Sequence, residues 1–184
     1  MSNKFKEAAA ELAVVTDRID QTAIETACRM ICDADKIVLY GCGREGLQMQ
    51  GFAMRLFHLG LDVAMQGSMT TPPIGAGDLF LVSDGPGRLS TVGSLTDVSR
   101  AAGAKVVLFT AEPYTPIATK SDHTLNIPAQ TMARDQGTAA SSLLPMGSLY
   151  EGALFLLFEV MVLRLREMTN TSAADMRARH TNLE

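Results

Sequence analysis

Short apolar runs alternate with amphipathic segments along most of this chain. Five of the runs are brief and mostly apolar, as expected for strands that are buried on both faces of a parallel sheet. They cover residues 37–40, 61–65, 79–82, 105–110 and 123–127. Strands that alternate with helices form a parallel sheet with helices on both faces. The pattern therefore predicts an α/β fold, a three-layer α/β/α sandwich with a five-stranded parallel sheet.

Apolar residues at helical spacing predict helices between these strands. One or two helices are expected over residues 4–34, with Asp20 as the candidate cap of the second. Later helices are predicted up to residue 58, over 90–102, after Pro116, over 146–167 and over 173–183. Ser90 is the expected N-cap of its helix, and Gly60 is expected to end the helix before the second strand.

The length of the chain supports one globular domain. Its 184 residues can bury a substantial core, and neither a repeat nor a low-complexity segment interrupts them. We therefore predict a single domain over residues 1–184, in which the polar residues 130–142 form a loop.

Charge, hydropathy and cysteine usage exclude several classes of partner. The formal net charge is −4, and no run of Lys or Arg marks an arm for nucleic acid. The N-terminus lacks the apolar core of a signal peptide, and no apolar run reaches the ~18 residues of a membrane span. The three cysteines have no scaffold-like spacing, which is typical of reduced thiols in the cytoplasm. We expect neither nucleic acid nor membrane as a partner.

Two patterns that could bind a cofactor are incomplete. Cys28 and Cys32 lie four residues apart on a predicted helix, but no cluster of His or Cys completes a metal site. Residues 41–46, GCGREG, match the G-x-G-x-x-G pattern of a dinucleotide site. Such a site also needs an acidic residue at the end of the second strand, where residues 65–67 are MQG. We therefore expect neither a metal nor another cofactor.

A second glycine-rich turn, DGPGR at residues 84–88, lies between the strand at 79–82 and a helix. A strand, a tight turn and a helix N-terminus together present backbone N–H groups that bind anions. Two such turns at successive helix N-termini favour a small ligand held between them, although either turn alone is explained by a tight bend. The candidate ligand-binding residues at the two turns are Gly43, Arg44, Glu45, Ser83, Asp84, Gly85, Gly87, Arg88 and Thr91.

Several local runs resemble the sugar isomerase (SIS) domain family, and together they span nearly the whole chain. The most specific are PMGSLYE at residues 145–151 and the tail MRARHTNLE at 176–184. Further matches are GCGR at 41–44, FAMRLFHLG at 52–60, Thr71 with Pro72, GDL at 77–79 and GAKV at 103–106. Within the family, the chain is similar to the 6-phospho-3-hexuloisomerases.

The resemblance implies a fold, an assembly and a reaction. It implies a flavodoxin-like SIS fold with an open five-stranded parallel sheet, assembled as a homotetramer. The implied reaction interconverts a 3-keto and a 2-keto hexose 6-phosphate without a metal. Moving a carbonyl along a sugar needs a base for the proton on the neighbouring carbon and a group that handles the oxygens of the enediol.

The resemblance assigns these two roles to Glu151 and His180. Glu151 matches the family's catalytic base, and His180 matches a tail histidine that reaches the site of a neighbouring subunit. From the residues alone, Glu151 is either a base whose pKa is raised by apolar surroundings or a surface carboxylate at a helix N-terminus. His180 alone would be a solvated tail residue. His58, near the end of its helix, and Thr71 are further candidates for contact with the ligand.

The phosphate-binding turns implied by the resemblance are altered in this chain. The family has a serine after the first turn's arginine and a Ser-Gly-Ser-Gly-Glu-Thr second turn. This chain has Glu45 and, at residues 84–89, DGPGRL. Asp84 and Glu45 would repel a phosphate dianion by ~1 kcal/mol or more per close pair, and more as water is excluded.

Three functions are compatible with this sequence. The first is an isomerase of a sugar or sugar acid, with or without phosphate, whose hydroxyls donate to the two carboxylates of the turns. The second is a regulatory protein that binds a sugar derivative without converting it. The third is a phosphohexulose isomerase whose phosphate is held by Arg44, Arg88, Thr91 and backbone N–H groups. Glu151 and His180 favour an enzyme, so we predict a sugar or sugar-phosphate isomerase.

The helices predicted near the N-terminus and the helical segment at 154–162 carry more apolar residues than the cover of one sheet face requires. They include Leu154, Phe155, Leu157, Phe158 and Met161. The excess predicts a helical interface between copies of the chain, in agreement with the implied tetramer.

Overall fold

The computed structural model describes residues 3–183, apart from the side chain of Ala139, and contains the predicted parallel sheet. β1 spans Ile37–Gly41, β2 Val63–Met65, β3 Leu79–Ser83, β4 Lys105–Thr110 and β5 His123–Asn126. The strand order is β2-β1-β3-β4-β5, and all neighbouring pairs are parallel. The predicted α/β fold is therefore confirmed. Glu184, the last residue of the tail motif, lies outside the described residues.

Helices precede, connect and follow these strands. They are α1 (Lys4–Thr16), α2 (Gln21–Cys32), α3 (Gly43–His58), α4 (Ser90–Ala101), α5 (Pro116–Lys120), α6 (Ser148–Met168) and α7 (Ala173–Ala178). The predicted loop at 130–142 holds two short 3₁₀ turns, Met132–Arg134 and Gly137–Ala139. Among the described residues, no helix has both the length and the apolar character needed to cross a membrane.

Two helix N-termini differ from the sequence prediction. α3 begins at Gly43, so the second half of the glycine motif forms its first turn instead of preceding it. The N-cap of α4 is Leu89, and Ser90 is its first helical residue. Two other predictions are confirmed: the Asp20 side chain caps α2, and Gly60 follows α3 with a φ of +90°. At such a φ glycine is favoured, because it has no Cβ to clash.

Helices cover the sheet on both faces. α1, α2, α3 and α6 pack on one face, where the ring of Phe158 stacks on Phe52 at 4.3 Å and meets the edge of Phe109 at 5.1 Å. On the other face, Val92 of α4 and Ile117 of α5 pack against β1, β3 and β4. β3 is buried along its whole length, because both of its faces are covered. This burial explains why its sequence is a continuous apolar run.

The direction of strand addition reverses between β1 and β3. The chain passes from β1 outward to β2 and then returns to add β3 on the opposite side of β1. The last residues of these two neighbouring strands, Gly41 and Ser83, are partners in register. In open α/β sheets, ligands bind where neighbouring connections diverge at the carboxyl ends of the strands. The topology therefore brings the two glycine-rich turns together at such a position.

Candidate active site

A cavity of about 280 Å³ lies beside the carboxyl ends of β1 and β3. Its walls come from the start of α3, the turn after β3, the loop after β5 and the start of α6. The lining residues are Cys42, Gly43, Arg44, Glu45, Pro86, Leu89, Thr131, Met132, Met146, Gly147, Tyr150 and Glu151. Segments that are about a hundred residues apart in sequence thus form one cavity.

Glu151 lies in the first turn of α6 and forms part of the cavity wall. The chain enters α6 through two consecutive left-handed residues, Met146 at φ 54° and Gly147 at φ 82°. The Glu151 side chain is nearly buried and forms an ion pair with Arg44, which also donates to Ser148 Oγ at 2.9 Å. Burial raises the pKa of Glu151 above its usual value, while the Arg44 guanidinium opposes this rise. The carboxylate therefore has the environment that the sequence predicted for a base.

Glu45 connects the two turns. Its Oε2 accepts hydrogen bonds from Ser83 Oγ at 2.6 Å and from the backbone N–H of Gly85 at 2.9 Å. Burial raises the pKa of Glu45, and the nearby charges of Asp84 and Glu151 raise it further, whereas the two donors lower it. The Glu45 carboxylate is therefore held by the protein while its side chain also lines the cavity.

Asp84 faces the interior of its own turn. It is completely buried, and its Oδ2 accepts a hydrogen bond from the N–H of Leu89 at 3.1 Å. Burial raises the pKa of Asp84, and the N–H groups of Leu89, Gly87 and Arg88 lower it. Asp84 therefore does not line the cavity, contrary to its predicted contact with a ligand.

Other predicted residues lie around the cavity without lining it. Ser83 and Gly85 support Glu45 from behind, and a Cβ at Gly85 would lie 2.8 Å from Glu45 Oε1 and 2.9 Å from the ring of Tyr150. Gly87, whose φ is +72°, shapes the same turn. Gly85 and Gly87 therefore contribute by leaving room for neighbouring protein groups. Ser83 contributes through its hydrogen bond to Glu45.

Arg88, Thr91 and Thr71 do not line the cavity that contains Glu151. Arg88 is exposed and, with Gly87, lines a separate cavity next to α5, and Thr91 is exposed on α4. The hydroxyl of Thr71 donates to the carbonyl oxygens of Met65 and Ser68, both at 2.7 Å, and thereby closes the turn after β2.

His58 and His180 lie together, outside the cavity of Glu151. Their ring centroids are 5.1 Å apart, and both line a cavity formed by α3, α6 and α7. Within one subunit, His180 is therefore not a neighbour of Glu151. Its role in the site of a second subunit stays a prediction.

Sequence reasoning predicted four of the twelve lining residues, and the eight that it missed include two with buried hydroxyls, Tyr150 and Thr131. Tyr150 is completely buried, and its hydroxyl lies 3.2 Å from Ser83 Oγ. Thr131 is only 3% exposed, and its Oγ1 has no hydrogen-bond partner among the described residues. Tyr150 could have been predicted as a site residue because it precedes Glu151 in the chain. Thr131 gave no such signal, because it lies in a polar loop without periodicity. Within the described residues, no His, Cys, Asp or Glu side chains cluster as metal ligands.

Comparisons with known proteins place this architecture in a family. The model of the SIS domain matches residues 30–156. A 3-hexulose-6-phosphate isomerase of Mycobacterium gastri is 36% identical over 174 residues, which cover 95% of this chain and 86% of that protein. The 3-hexulose-6-phosphate isomerase of Bacillus subtilis is 30% identical over 154 residues, covering 84% and 83% of the two chains.

A solved structure has the same fold over the full length. It is that of a hypothetical protein of Methanococcus jannaschii, from whose structure a 3-hexulose-6-phosphate isomerase function was inferred. It superimposes with a TM-score of 0.85 at 22% identity and covers 98% of this chain and 99% of that chain. The family match and the curated relatives thus agree with the observed fold, and the chain belongs to the SIS domain family.

Proposed function

We propose that this chain is an isomerase that moves a carbonyl between neighbouring carbons of a sugar or sugar phosphate through an enediol. The observation that carries the proposal is the nearly buried carboxylate of Glu151, which forms part of the cavity wall and is paired with Arg44. Two curated relatives named 3-hexulose-6-phosphate isomerase, similar over most of the chain, support the same reaction class.

The proposed reaction needs a base for the carbon-bound proton, a cation for the enediolate and a group that handles the protons of the sugar oxygens. The Glu151 carboxylate removes the proton from the carbon next to the carbonyl, and the electron pair of that C–H bond forms the enediolate. The guanidinium of Arg44 compensates the negative charge that develops on oxygen. The former carbonyl oxygen takes up a proton and the neighbouring hydroxyl gives up its own, while protonated Glu151 returns the carbon-bound proton to the former carbonyl carbon. Because these two side chains supply proton transfer and charge compensation, we infer a reaction without a metal or cofactor.

The raised pKa of Glu151 suits this role. A base is most effective when its pKa lies near the working pH, since a more basic carboxylate removes a carbon-bound proton more readily. Burial supplies the increase, and the Arg44 guanidinium limits it. His180 of a neighbouring subunit is the proposed second group, which would protonate or polarise the sugar oxygens.

The exposed faces of α3 and α6 support an assembly of several subunits. These two helices pack against each other, and their outer sides expose large apolar residues. The most exposed are Leu47, Met54 and Phe57 on α3 and Phe155, Val160 and Leu163 on α6. We expect a homo-oligomer, in keeping with the predicted tetramer, because burying these side chains between copies removes apolar surface from water.

Light scattering coupled to gel filtration measures the number of subunits in the assembly. A mass of two or more subunits is expected at micromolar concentration. A monomeric mass would refute the proposed assembly, and it would also remove His180 from any shared site.

Hydrogen exchange tests the reaction itself. The wild-type protein is incubated in deuterated water with D-fructose or with D-fructose 6-phosphate, and the sugar C–H signals are followed by NMR. We expect the proton next to the carbonyl to exchange in at least one of the two sugars. Binding without exchange, detected as a concentration-dependent rise in melting temperature, would instead indicate a regulatory protein.

A further inference from the structure

The anion-binding position of the second turn is occupied by the chain's own carboxylates. Backbone N–H groups at a strand end and a helix N-terminus attract anions. Here the N–H of Gly85 and the hydroxyl of Ser83 both donate to Glu45, at 2.9 and 2.6 Å. The N–H of Leu89 donates to Asp84 at 3.1 Å. A phosphate could reach these donors only by displacing carboxylates that already accept their hydrogen bonds.

Close packing holds the Glu45 carboxylate in this position. A Cβ at residue 85 would approach its Oε1 to 2.8 Å and the Tyr150 ring to 2.9 Å, so the turn has no spare space on that side. Asp84 is completely buried and cannot leave without opening the turn. The two carboxylates are thus part of the folded structure, whereas flexible surface groups could move aside.

The charges around the turn also oppose a dianion. Glu45 and Asp84 place two carboxyl groups at the turn and Glu151 a third at the cavity, and the charges of Asp84 and Glu151 raise the pKa of Glu45. The cation within the cavity wall, Arg44, is paired with Glu151 and bonded to Ser148. Arg88 lies on a different cavity and is exposed. Where these carboxyl groups are ionised, a phosphate at the turn meets more repulsion than attraction.

Hydroxyl groups fit the same surface well. A carboxylate accepts up to about four hydrogen bonds, and both protein donors to Glu45 end on Oε2, which leaves acceptor capacity on the group. Thr131 Oγ1, buried in the cavity wall, has no partner among the residues described. A buried hydroxyl without a partner is costly, and a polar ligand in the cavity would remove that cost.

We propose that the substrate group next to the second turn is a neutral hydroxyl-bearing end of a sugar, not a phosphate, and that Glu45 determines this specificity. The inference rests on the proposed function for the identity of the ligand as a sugar. It differs from what the names of the curated relatives imply, because in this chain the donors of the turn are already satisfied.

Titration with inorganic phosphate tests whether these donors are occupied. The amide signal of Gly85 in ¹⁵N-labelled protein is followed while phosphate is added up to about 20 mM, a range that covers weak binding. We expect no saturable shift in the wild type. In Glu45→Ser, which frees Ser83 and the Gly85 N–H, we expect saturation with an affinity at least about tenfold higher.

Two control variants separate occupancy from charge. Glu45→Gln keeps an oxygen that accepts from Gly85 but removes the charge, so its phosphate affinity should lie between those of the wild type and Glu45→Ser. Glu112→Gln makes the same change on a side chain whose Cβ packs beside Gly87 and whose carboxylate pairs with Arg134, so it frees no donor of the turn and should leave phosphate binding as in the wild type. A saturable Gly85 shift in the wild type, or equal affinities in the wild type and Glu45→Ser, would overturn the proposal. The wild-type titration decides this even where Glu45→Ser does not fold.

Substrate preference provides a second readout. If the wild type exchanges protons of both sugars, D-fructose should be used at least as well as its 6-phosphate, and Glu45→Ser should shift this ratio about tenfold toward the phosphate ester. A wild type that strongly prefers the 6-phosphate would contradict the inference. A failure of both sugars to exchange would refute the proposed reaction instead, and the phosphate titration would still test the turn.

Discussion

Replacing Glu151 with glutamine is expected to lower the rate of hydrogen exchange between the sugar and deuterated water by about 10²–10⁴-fold. Glutamine has nearly the same shape but cannot accept the carbon-bound proton. Because the side chain is nearly buried beside Arg44, no water-borne base replaces it efficiently. The measurement is the NMR exchange assay with the sugar that the wild type uses.

Glu167→Gln is the matched control for this variant. It makes the same chemical change on the same helix, at an exposed position that is paired with Arg164 and outside the cavity. Its exchange rate should equal that of the wild type. Unchanged exchange in Glu151→Gln would show that another group is the base.

The pH dependence of exchange provides an independent check of Glu151. The base works only when it is deprotonated, so the rate falls as the pH drops through its pKa. Burial raises that pKa above the usual 4.5. The acidic limb of the rate profile is therefore expected at a pH higher than 4.5. A limb below 4.5 would mean that Arg44 outweighs burial or that a different carboxylate acts.

Replacing Gly46 with alanine is expected to destabilise the fold by about 2–3 kcal/mol. Gly46 is the third glycine of the first turn, in the part of α3 that crosses the end of β1. A Cβ at this position would lie 2.5 Å from the carbonyl oxygen of Gly41, well inside ordinary contact distance. Since the obstacle is backbone, α3 has to move away from the sheet, and the cavity wall moves with it.

Gly93→Ala, in α4 on the other face of the sheet, is the control with the opposite expectation. A Cβ at Gly93 makes only ordinary contact, at 3.8 Å from the Ile117 side chain. Alanine there should stabilise the protein by about 0.5–1 kcal/mol, because glycine loses more backbone entropy in a helix. Urea unfolding followed by circular dichroism measures both changes. Equal stabilities of the two variants would contradict the role of Gly46 in helix–strand contact.

Local sequence patterns placed the starts of α3 and α4 incorrectly, and both starts lie at the glycine-rich turns. Ser90 has the side chain of a good N-cap, yet α4 begins after Leu89. The Asp84 carboxylate, five residues earlier, accepts the Leu89 N–H, and no side chain caps the first turn of α4. Similarly, α3 starts inside the glycine motif because Gly43 adopts a φ of +55° and lets the helix begin at once.

The candidate site was predicted in part. Gly43, Arg44, Glu45 and Glu151 were selected from the turns and from the family resemblance, and all four line one cavity. Asp84 was selected as a ligand contact and instead stabilises its own turn. A carboxylate in a glycine-rich turn has the same local sequence in both cases. Its direction depends on the packing of β3, α4 and the neighbouring Glu45.

The sequence by itself determined the strands, most of the helices and the α/β class, because burial on one or two faces leaves a periodic pattern in adjacent residues. Only the tertiary structure decided which groups share the cavity. Thr131 and Glu151 join the first turn because the strand order β2-β1-β3-β4-β5 and the path into α6 bring distant segments together. It also decided that Glu45 accepts the hydrogen bonds of Ser83 and Gly85, since those partners lie about forty residues away. Hydrogen bonds between distant residues have no periodicity, so only the folded chain reveals them.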